Sequence, residues 1–502
     1  MQVDRRPVPS PPGTCTVVCV GLVSARSPKK GFSRMLRRFL FGSILLGAAF
    51  AGLQLQQPAS HDPAPNPTDW AAGLDREVQT LGKPAWRPML VYDVAMHRAS
   101  THPAAPPFEF PWEDTGRGYG YGPGTGHWDL VHEILDVLPS APEHAREQLL
   151  NDVRLQLPSG FLPGLYWMRQ QTAADDPVIY DKAAAKYSPT QGNPPVWVVA
   201  ADDYLEQTAK TSGTYDTALA NEFLERVTRQ IGWFERERKA KPDGFLYLDI
   251  VTGKWESGVD EGVRFDGTGP GQEPSSTACI DATSHVFQMY VYAAKWARKL
   301  GRDATPFQSR AGHLRHFIQT SLWSERDGFF YDSWVLERAP DGPRATWHGT
   351  AAPGRSHAFE GMWPMVVGAA TPKQTDRVLR EWIMSPQRFF TPHPIATVAR
   401  DDPKFSNRMW RGPVWNSMTY WAARGALRYG HPEDAHRLLG PALDDTATQY
   451  DRAGKLWEFY SPLDGHPEDL TRKPQTKRNE PFPDYMGHNP LLAMARLWQV
   501  TS

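Results

Sequence analysis

From about residue 70 onward, apolar positions recur three and four residues apart in one stretch after another, and Gly/Pro/aromatic segments separate the stretches. Phe287, Tyr290, Val291, Ala294 and Ala297 show the pattern, falling on one face of a 3.6-residue helix. On this spacing, helices are predicted over 129–138, 142–155, 195–210, 214–239, 277–300, 304–322, 359–367, 372–384, 414–429, 432–443 and 489–500. Several open with a cap or an early proline: Ser140 before Pro142, Thr371 before Pro372, and His431 before Pro432. Short extended patches, Gly244-Phe245-Leu246-Tyr247-Leu248 and Gly328-Phe329-Phe330-Tyr331-Asp332, are expected as hairpin or loop elements between helices. Helices in hairpin order with long alternating loops predict an all-α (α/α)6 toroid, whose pocket is built by loops at one end of the inner helices. No strict repeat period supports a solenoid. The glycine-rich run from Gly118 to Gly124 lacks the preceding strand and the Lys-Ser/Thr of a phosphate-binding loop, so it reads as a loop at the pocket rim.

The first seventy residues differ in kind, since all 19 tryptophans lie at or after Trp70. Met35-Leu36-Arg37-Arg38 forms a basic head, and residues 39–53 form an apolar run of signal-peptide length ending near Ala49-Phe50-Ala51. The run is short for a membrane span, which needs about twenty residues. The expected organisation is an upstream extension and signal peptide or N-terminal anchor over 1–53, with translation starting at Met35. A Pro-rich linker follows over 54–69, then one catalytic domain over 70–502 in an exported, periplasmic or extracellular protein. Contact with a membrane is expected only if that segment stays uncleaved. Lys+Arg 55 against Asp+Glu 56 leaves a net charge of -1, which gives no basic surplus for nucleic acid. Cys15 and Cys19 precede the expected cleavage point, so Cys279 remains alone and is read as a helix-core residue. No His-x-x-x-His pair, cysteine pair or EF-hand loop calls for a metal, and no cofactor is expected.

Two stretches carry candidate chemistry. Trp255-Glu256-Ser257-Gly258-Val259-Asp260-Glu261-Gly262-Val263-Arg264-Phe265-Asp266 packs four acids and an arginine into twelve residues. Far downstream lies Leu456-Trp457-Glu458-Phe459-Tyr460-Ser461-Pro462. Two carboxyls on separate elements, with aromatic faces nearby, are what cleavage of a glycosidic bond needs. One protonates the leaving oxygen; the other activates water or attacks the sugar. These stretches, with Asn193-Pro194-Pro195 and Met409-Trp410-Arg411-Gly412-Pro413-Val414-Trp415, occur in an order that resembles the trehalase and processing α-glucosidase group. That group comprises glycoside hydrolase families 37 and 63, with their mannosylglycerate and glucosylglycerate hydrolase-like relatives. The resemblance runs from about Trp128 to the C-terminus. It implies an (α/α)6 barrel and hydrolysis of an α-glucosidic or α-mannosidic bond in a small glycoside, with inversion of the anomeric centre. It assigns the general acid to Asp260 and the base to Glu458; the polar loop before Met486 offers Glu480 and Asp484 as rival bases.

The acid has to hold its proton near neutrality, and Glu256 and Glu261 are expected to supply the like-charge repulsion for that. Candidate sugar contacts are Trp128 and Asp129 in Gly126-His127-Trp128-Asp129, Gln191 and Asn193 in the following turn, Glu256, Arg264, Trp410, Arg411 and Trp415. Arginines fork onto hydroxyls or carboxylates, and tryptophans wall a sugar pocket. His357 and Glu360 are placed at the rim. Two features depart from true trehalases: Gly258-Val259-Asp260 replaces Gly-Trp-Asp, and the C-terminal segment reads Gly487-His488-Asn489-Pro490. The substrate therefore does not transfer from trehalase. A polysaccharide lyase or sugar epimerase on the same toroid, using residues such as His127 and His285, is the alternative enzyme. A catalytically inactive glycan-binding protein is the non-enzyme alternative.

Overall fold

The computed structural model describes residues 69–120, 122–168, 192–241, 243–249, 256–266, 277–336, 345–347, 356–474 and 479–502. The predicted leader and most of the linker, and the candidate contact Gln191, lie outside these residues.

Hydrophobic periodicity becomes a closed ring. The described helices are α1 (Ala72–Glu77), α2 (Arg87–Ser100), α3 (His127–Val137), α4 (Pro142–Arg154), α5 (Trp197–Ser212), α6 (Thr217–Glu237) and α7 (Ile280–Lys299). They continue as α8 (Thr305–Ser321), α9 (Trp363–Val366), α10 (Pro372–Arg377), α11 (Asn416–Arg428), α12 (Pro432–Ala453) and α13 (Leu491–Val500). Helix α3 packs on α5, α5 on α7, α7 on α9, α9 on α11, α11 on α13, and α13 back on α3. This is the inner circle of an (α/α)6 toroid. Outside it, α4 touches α3 and α5, α6 and α8 touch α7, and α12 and α2 touch α13.

Sequence explains which helices go inside. Every residue of α3 is buried, as expected for a helix packed on all sides. Helix α6 instead buries one stripe (Leu219, Phe223, Leu224, Val227, Ile231, Phe234) against α7, and Asp216 caps its first turn by accepting from the Leu219 N–H at 2.9 Å. Short antiparallel ladders decorate the loops: β1 (Thr101–His102) with β2 (Trp112–Glu113), and β3 (Gly124–Gly126) with β4 (Leu165–Trp167). Further along, β6 (Trp323–Ser324) pairs with β7 (Phe329–Phe330). Strand β8 (Ser333–Leu336) lies between β5 (Thr277–Ala278) and β9 (Ala345–Trp347).

Four differences from the sequence expectation have physical reasons. Helices α1 and α2 were not anticipated; the buried face of α2 carries Asp93, His97 and Ser100 among Met89, Leu90 and Val94, which breaks the apolar signal. Residues 277–278 pair as a strand before α7 begins. Phe359–Met362 winds as a 3-10 turn leading into α9. Helix α12 runs ten residues past its expected end at 443. Pro441 forfeits one backbone bond there, while Leu438, Leu439, Ala442, Leu443 and Ala447 bury on both sides of it.

Consecutive helices alternate direction around the ring, so the inner helices share one polarity. The motif residues sit just ahead of them: Asp129 in the first turn of α3, Asn193 before α5, Asp281 in the first turn of α7, Glu360 before α9, Arg411 and Trp415 before α11, and His488 before α13. The site therefore assembles at the N-terminal end of the inner ring.

Candidate active site

Asp129 lies in the first turn of α3, where Gly126 holds the backbone extended before the helix starts. Its carboxyl is wedged between Gly126 and Gly487, and a side chain at either glycine would collide with its oxygens. The Tyr485 hydroxyl donates to Oδ1. Gly487 is fixed in turn by His132, whose Nδ1 donates to the Gly487 carbonyl at 2.6 Å while Nε2 accepts from the Trp421 indole at 2.9 Å. Burial pushes the Asp129 carboxyl up to about 6; the Tyr485 bond opposes this, and the charges of Glu458 and Asp260 add to it.

Asp260 arrives on a turn that Gly258 makes possible. Gly258 has φ +76, and its α-carbon lies against the Trp128 ring, leaving no room for a side chain. The Asp260 side chain is 20% exposed and accepts from Lys473 Nζ at 2.6 Å. Glu458 is 2% exposed. It accepts from Arg472 Nε at 2.9 Å and from the Phe482 N–H at 3.1 Å. Burial raises its carboxyl, and Arg472 and the Phe482 N–H counter that. Consecutive residues, Arg472 and Lys473, thus hold the two carboxylates that the sequence placed 198 positions apart. Tyr119, from the glycine-rich loop, completes the cluster: burial first, then the charges of Asp129, Glu458 and Asp260, lift its hydroxyl well above the ordinary range, with Arg472 opposing.

The profile of the mannosylglycerate hydrolase MGH1-like glycoside hydrolase domain matches residues 122–475, which contain Asp129, Asp260 and Glu458. The chain belongs to this family. Like the other MGH1-like glycoside hydrolases, it is a glycosidase. It is 22% identical over 433 residues to the mannosylglycerate hydrolase of Rubrobacter radiotolerans, covering 72% of this chain and 92% of that relative. Solved structures share the fold. The family 63 mannosylglycerate hydrolase of Thermus thermophilus, in complex with Tris and D-glycerate, superposes with a TM-score of 0.58 at 16% identity, over 82% of this chain and 99% of that one. The neutral trehalase Nth1 of Saccharomyces cerevisiae does so with a TM-score of 0.54 at 14% identity, over 80% and 78%.

Within this MGH1-like domain, the remaining predicted site residues occupy framework positions. Glu256 is 1% exposed and clamped by Arg238 at 2.9 Å, and it also accepts from the Leu248 N–H. Glu261 pairs with Arg408 at 3.1 Å. Both expected sources of repulsion on Asp260 are therefore neutralised by arginines. Arg264 is 4% exposed and bridges Asp281 (2.8 Å), Asp332 (3.1 Å) and Glu360 (3.1 Å), which turns it from sugar toward the ring. Arg411 donates to the Glu261 carbonyl at 2.8 Å and pairs with Asp266, tying down the turn that carries Asp260. Trp128, Trp410 and Trp415 form one buried stack, with centroids 5.7 and 3.9 Å apart, and the His488 ring edges onto all three. They back the site as packing and present almost no open face. Asn193 donates to the Gly164 carbonyl at 3.1 Å, a loop clasp.

Of the rival bases, Glu480 is exposed, and Asp484 accepts from Tyr92 at 2.7 Å and Arg117 at 3.4 Å. His357 stacks on Trp382 and faces Asp402. His127 is bound to Asp152 at 2.8 Å, and His285 is buried and pushed down to about 3, so neither imidazole joins the carboxylate cluster. Sequence reasoning missed Tyr119, Lys473, Arg472 and Tyr485. Only Tyr119 left a signal, as an aromatic in a glycine run; the others stand in segments without periodicity. It also missed Asp249, which accepts from the Ser257 N–H (2.8 Å) and hydroxyl (2.7 Å) and sets the entry to the acid turn.

Proposed function

We propose that this glycosidase hydrolyses, with inversion at the anomeric carbon, an α-mannosidic or α-glucosidic bond in a small glycoside with an anionic aglycone, of the glycosyl-glycerate class. The observation that carries this reading is the pairing of Asp260 and Glu458 through Lys473 and Arg472, with Asp129 in their shared field. Asp260, the more open carboxyl, faces the leaving group as general acid. Glu458 holds the attacking water as general base, and such inverting pairs stand roughly 6.5–9.5 Å apart to admit it. Asp129 accepts hydroxyls of the glycone. Lys473 is the cation paired with Asp260 at 2.6 Å. An aglycone carboxylate that draws it away leaves Asp260 free to take up the proton it must deliver. The family match and the named Rubrobacter relative support the glycerate class.

The test is hydrolysis of α-mannosyl- and α-glucosyl-glycerate beside the matching glycosyl-glycerols, with the first-formed anomer read by proton NMR. Asp260→Asn and Glu458→Gln are run in parallel, and each is expected to lower kcat by about 10²–10⁴. Release of the β-anomer with a preference for glycerate is expected. Release of the α-anomer would overturn inversion, and equal use of neutral aglycones would overturn the anionic aglycone.

A further inference from the structure

Behind the active site, on the side of α2, lies a second buried cluster that the hydrolytic reaction does not use. Asp93 and His97 stand one helical turn apart on α2, Asp136 projects from α3, and one oxygen or ring nitrogen of each lies within 4.8 Å of the others. Their exposures are 0%, 1% and 0%. Asp93 is the unusual member. Neither carboxylate oxygen accepts a hydrogen bond from a donor among the described residues, and the Asp136 carboxyl is its close polar neighbour. An uncompensated buried carboxylate is among the costliest groups a core can hold, so positive charge (a bound ion, the His97 imidazolium or a shared proton) has to offset Asp93 and Asp136.

The contacts of His97 distinguish its two ring nitrogens. Nδ1 is gripped by Glu113 at 2.5 Å, and the other oxygen of Glu113 meets His144 Nε2 at 3.1 Å. Nε2 is 3.2 Å from Asp136 Oδ2, longer than a charge-assisted hydrogen bond of about 2.7–2.9 Å. Two ligand atoms on one tetrahedral ion with bonds of about 2.0–2.2 Å stand about 3.3–3.6 Å apart. One ring nitrogen held by a carboxylate, with the other turned to a pair of acids, is the arrangement that fixes a metal-binding imidazole. Asp136 Oδ1 is committed to the Ala493 N–H at 2.6 Å, which leaves Oδ2 for the ion.

We propose that Asp93, His97 and Asp136 ligate a divalent first-row transition-metal ion of the zinc class, oriented by Glu113 on the far nitrogen of His97. Binding displaces any proton held by His97 Nε2 or by Asp93 and releases it to solvent. The metal-free alternative is a proton shared between the two acids. The role is structural. Asp136 and Asp129 share α3, seven residues or about 10 Å along its axis, so an ion at Asp136 ties α2 to the helix that presents Asp129. Asp93-x-x-x-His97 has the same spacing as a His-x-x-x-His pair, which a search for histidine pairs passes over.

The full-length chain is purified without a metal-affinity tag, and its transition metals are counted by inductively coupled plasma mass spectrometry. It is then stripped with pyridine-2,6-dicarboxylate and refilled with Zn²⁺, and the thermal midpoint is followed at each stage. Expected are one ion per chain, a midpoint that falls on stripping and recovers on refilling, and loss of both metal and response in Asp93→Asn and His97→Gln. A wild-type chain with no ion and no response to Zn²⁺ overturns the proposal. Full metal content in Asp93→Asn overturns it as well, by placing the ion elsewhere. If either variant fails to fold, the strip-and-refill cycle on the wild type decides. The readout is metal content and stability, so it is independent of the substrate assigned above.

Discussion

Asp129 and Asp260 carry the same side chain but differ in what surrounds them. Asp260 is partly open and faces a lysine; Asp129 is wedged between two glycines with 10% of its side chain exposed, a tyrosine hydroxyl donating to it and two acids in its field. Its folded value of about 6 lies above the ordinary unfolded value near 4. The folded state therefore binds more protons than the unfolded state between about pH 4 and 6, and stability falls as pH rises through that window. Asp129→Asn removes this cost and keeps an acceptor for Tyr485. The variant should be more stable than the parent at pH 7 by on the order of 3 kcal/mol, with the advantage fading toward pH 4. Its activity should collapse, as expected where a site is held at the expense of stability. Urea midpoints of both proteins from pH 4 to 8 check this; a variant weaker than the parent at pH 7 would mean the buried charge is paired after all.

At the scale of elements, the turn carrying Asp260 is the part whose backbone matters most. Gly258 combines a left-handed φ with contact on the Trp128 ring, so Gly258→Ala has to move the turn, the tryptophan stack, or both. We expect a folded protein by circular dichroism whose kcat falls about 10²-fold, because displacing a catalytic group by about 1 Å has that effect. Unchanged kcat would show that the turn tolerates the shift. This turn also marks where sequence legibility ends. Outer helices such as α6 were readable because their apolar stripe repeats every 3.6 residues, and the motifs that carry Asp260 and Glu458 stood out through the family resemblance. The partners of those motifs did not. Arg408 for Glu261 and Lys473 for Asp260 come from segments with no periodic signal, and Arg238, though it ends a predicted helix, carries no mark of pairing with Glu256; the folded chain brings all three near their acids. Helix α2 escaped for the opposite reason, since polar residues occupy its core face.

For the whole molecule, the open question is how the ring is locked where its loops are longest, and Arg264 is central to it. Its guanidinium joins Asp281 at the start of α7, Asp332 between β7 and β8, and Glu360 ahead of α9, three segments that also meet through the β5–β8 ladder and the packing of α7 on α9. Burial pushes Glu360 up to about 7, with the Arg264 charge opposing, so part of the trio lies close to neutralisation. Arg264→Met keeps the volume and strands the carboxylates. Breaking a buried ion network from one side costs about 3–5 kcal/mol. The loss should be largest above pH 7 and smaller in acid, where Glu360 takes a proton in place of its partner. A sugar-contacting arginine predicts the reverse pattern: an unchanged urea midpoint with a raised KM. Measuring both quantities on one variant at pH 6 and 8 separates the two roles, and a lowered midpoint that recovers toward pH 6 assigns Arg264 to the ring.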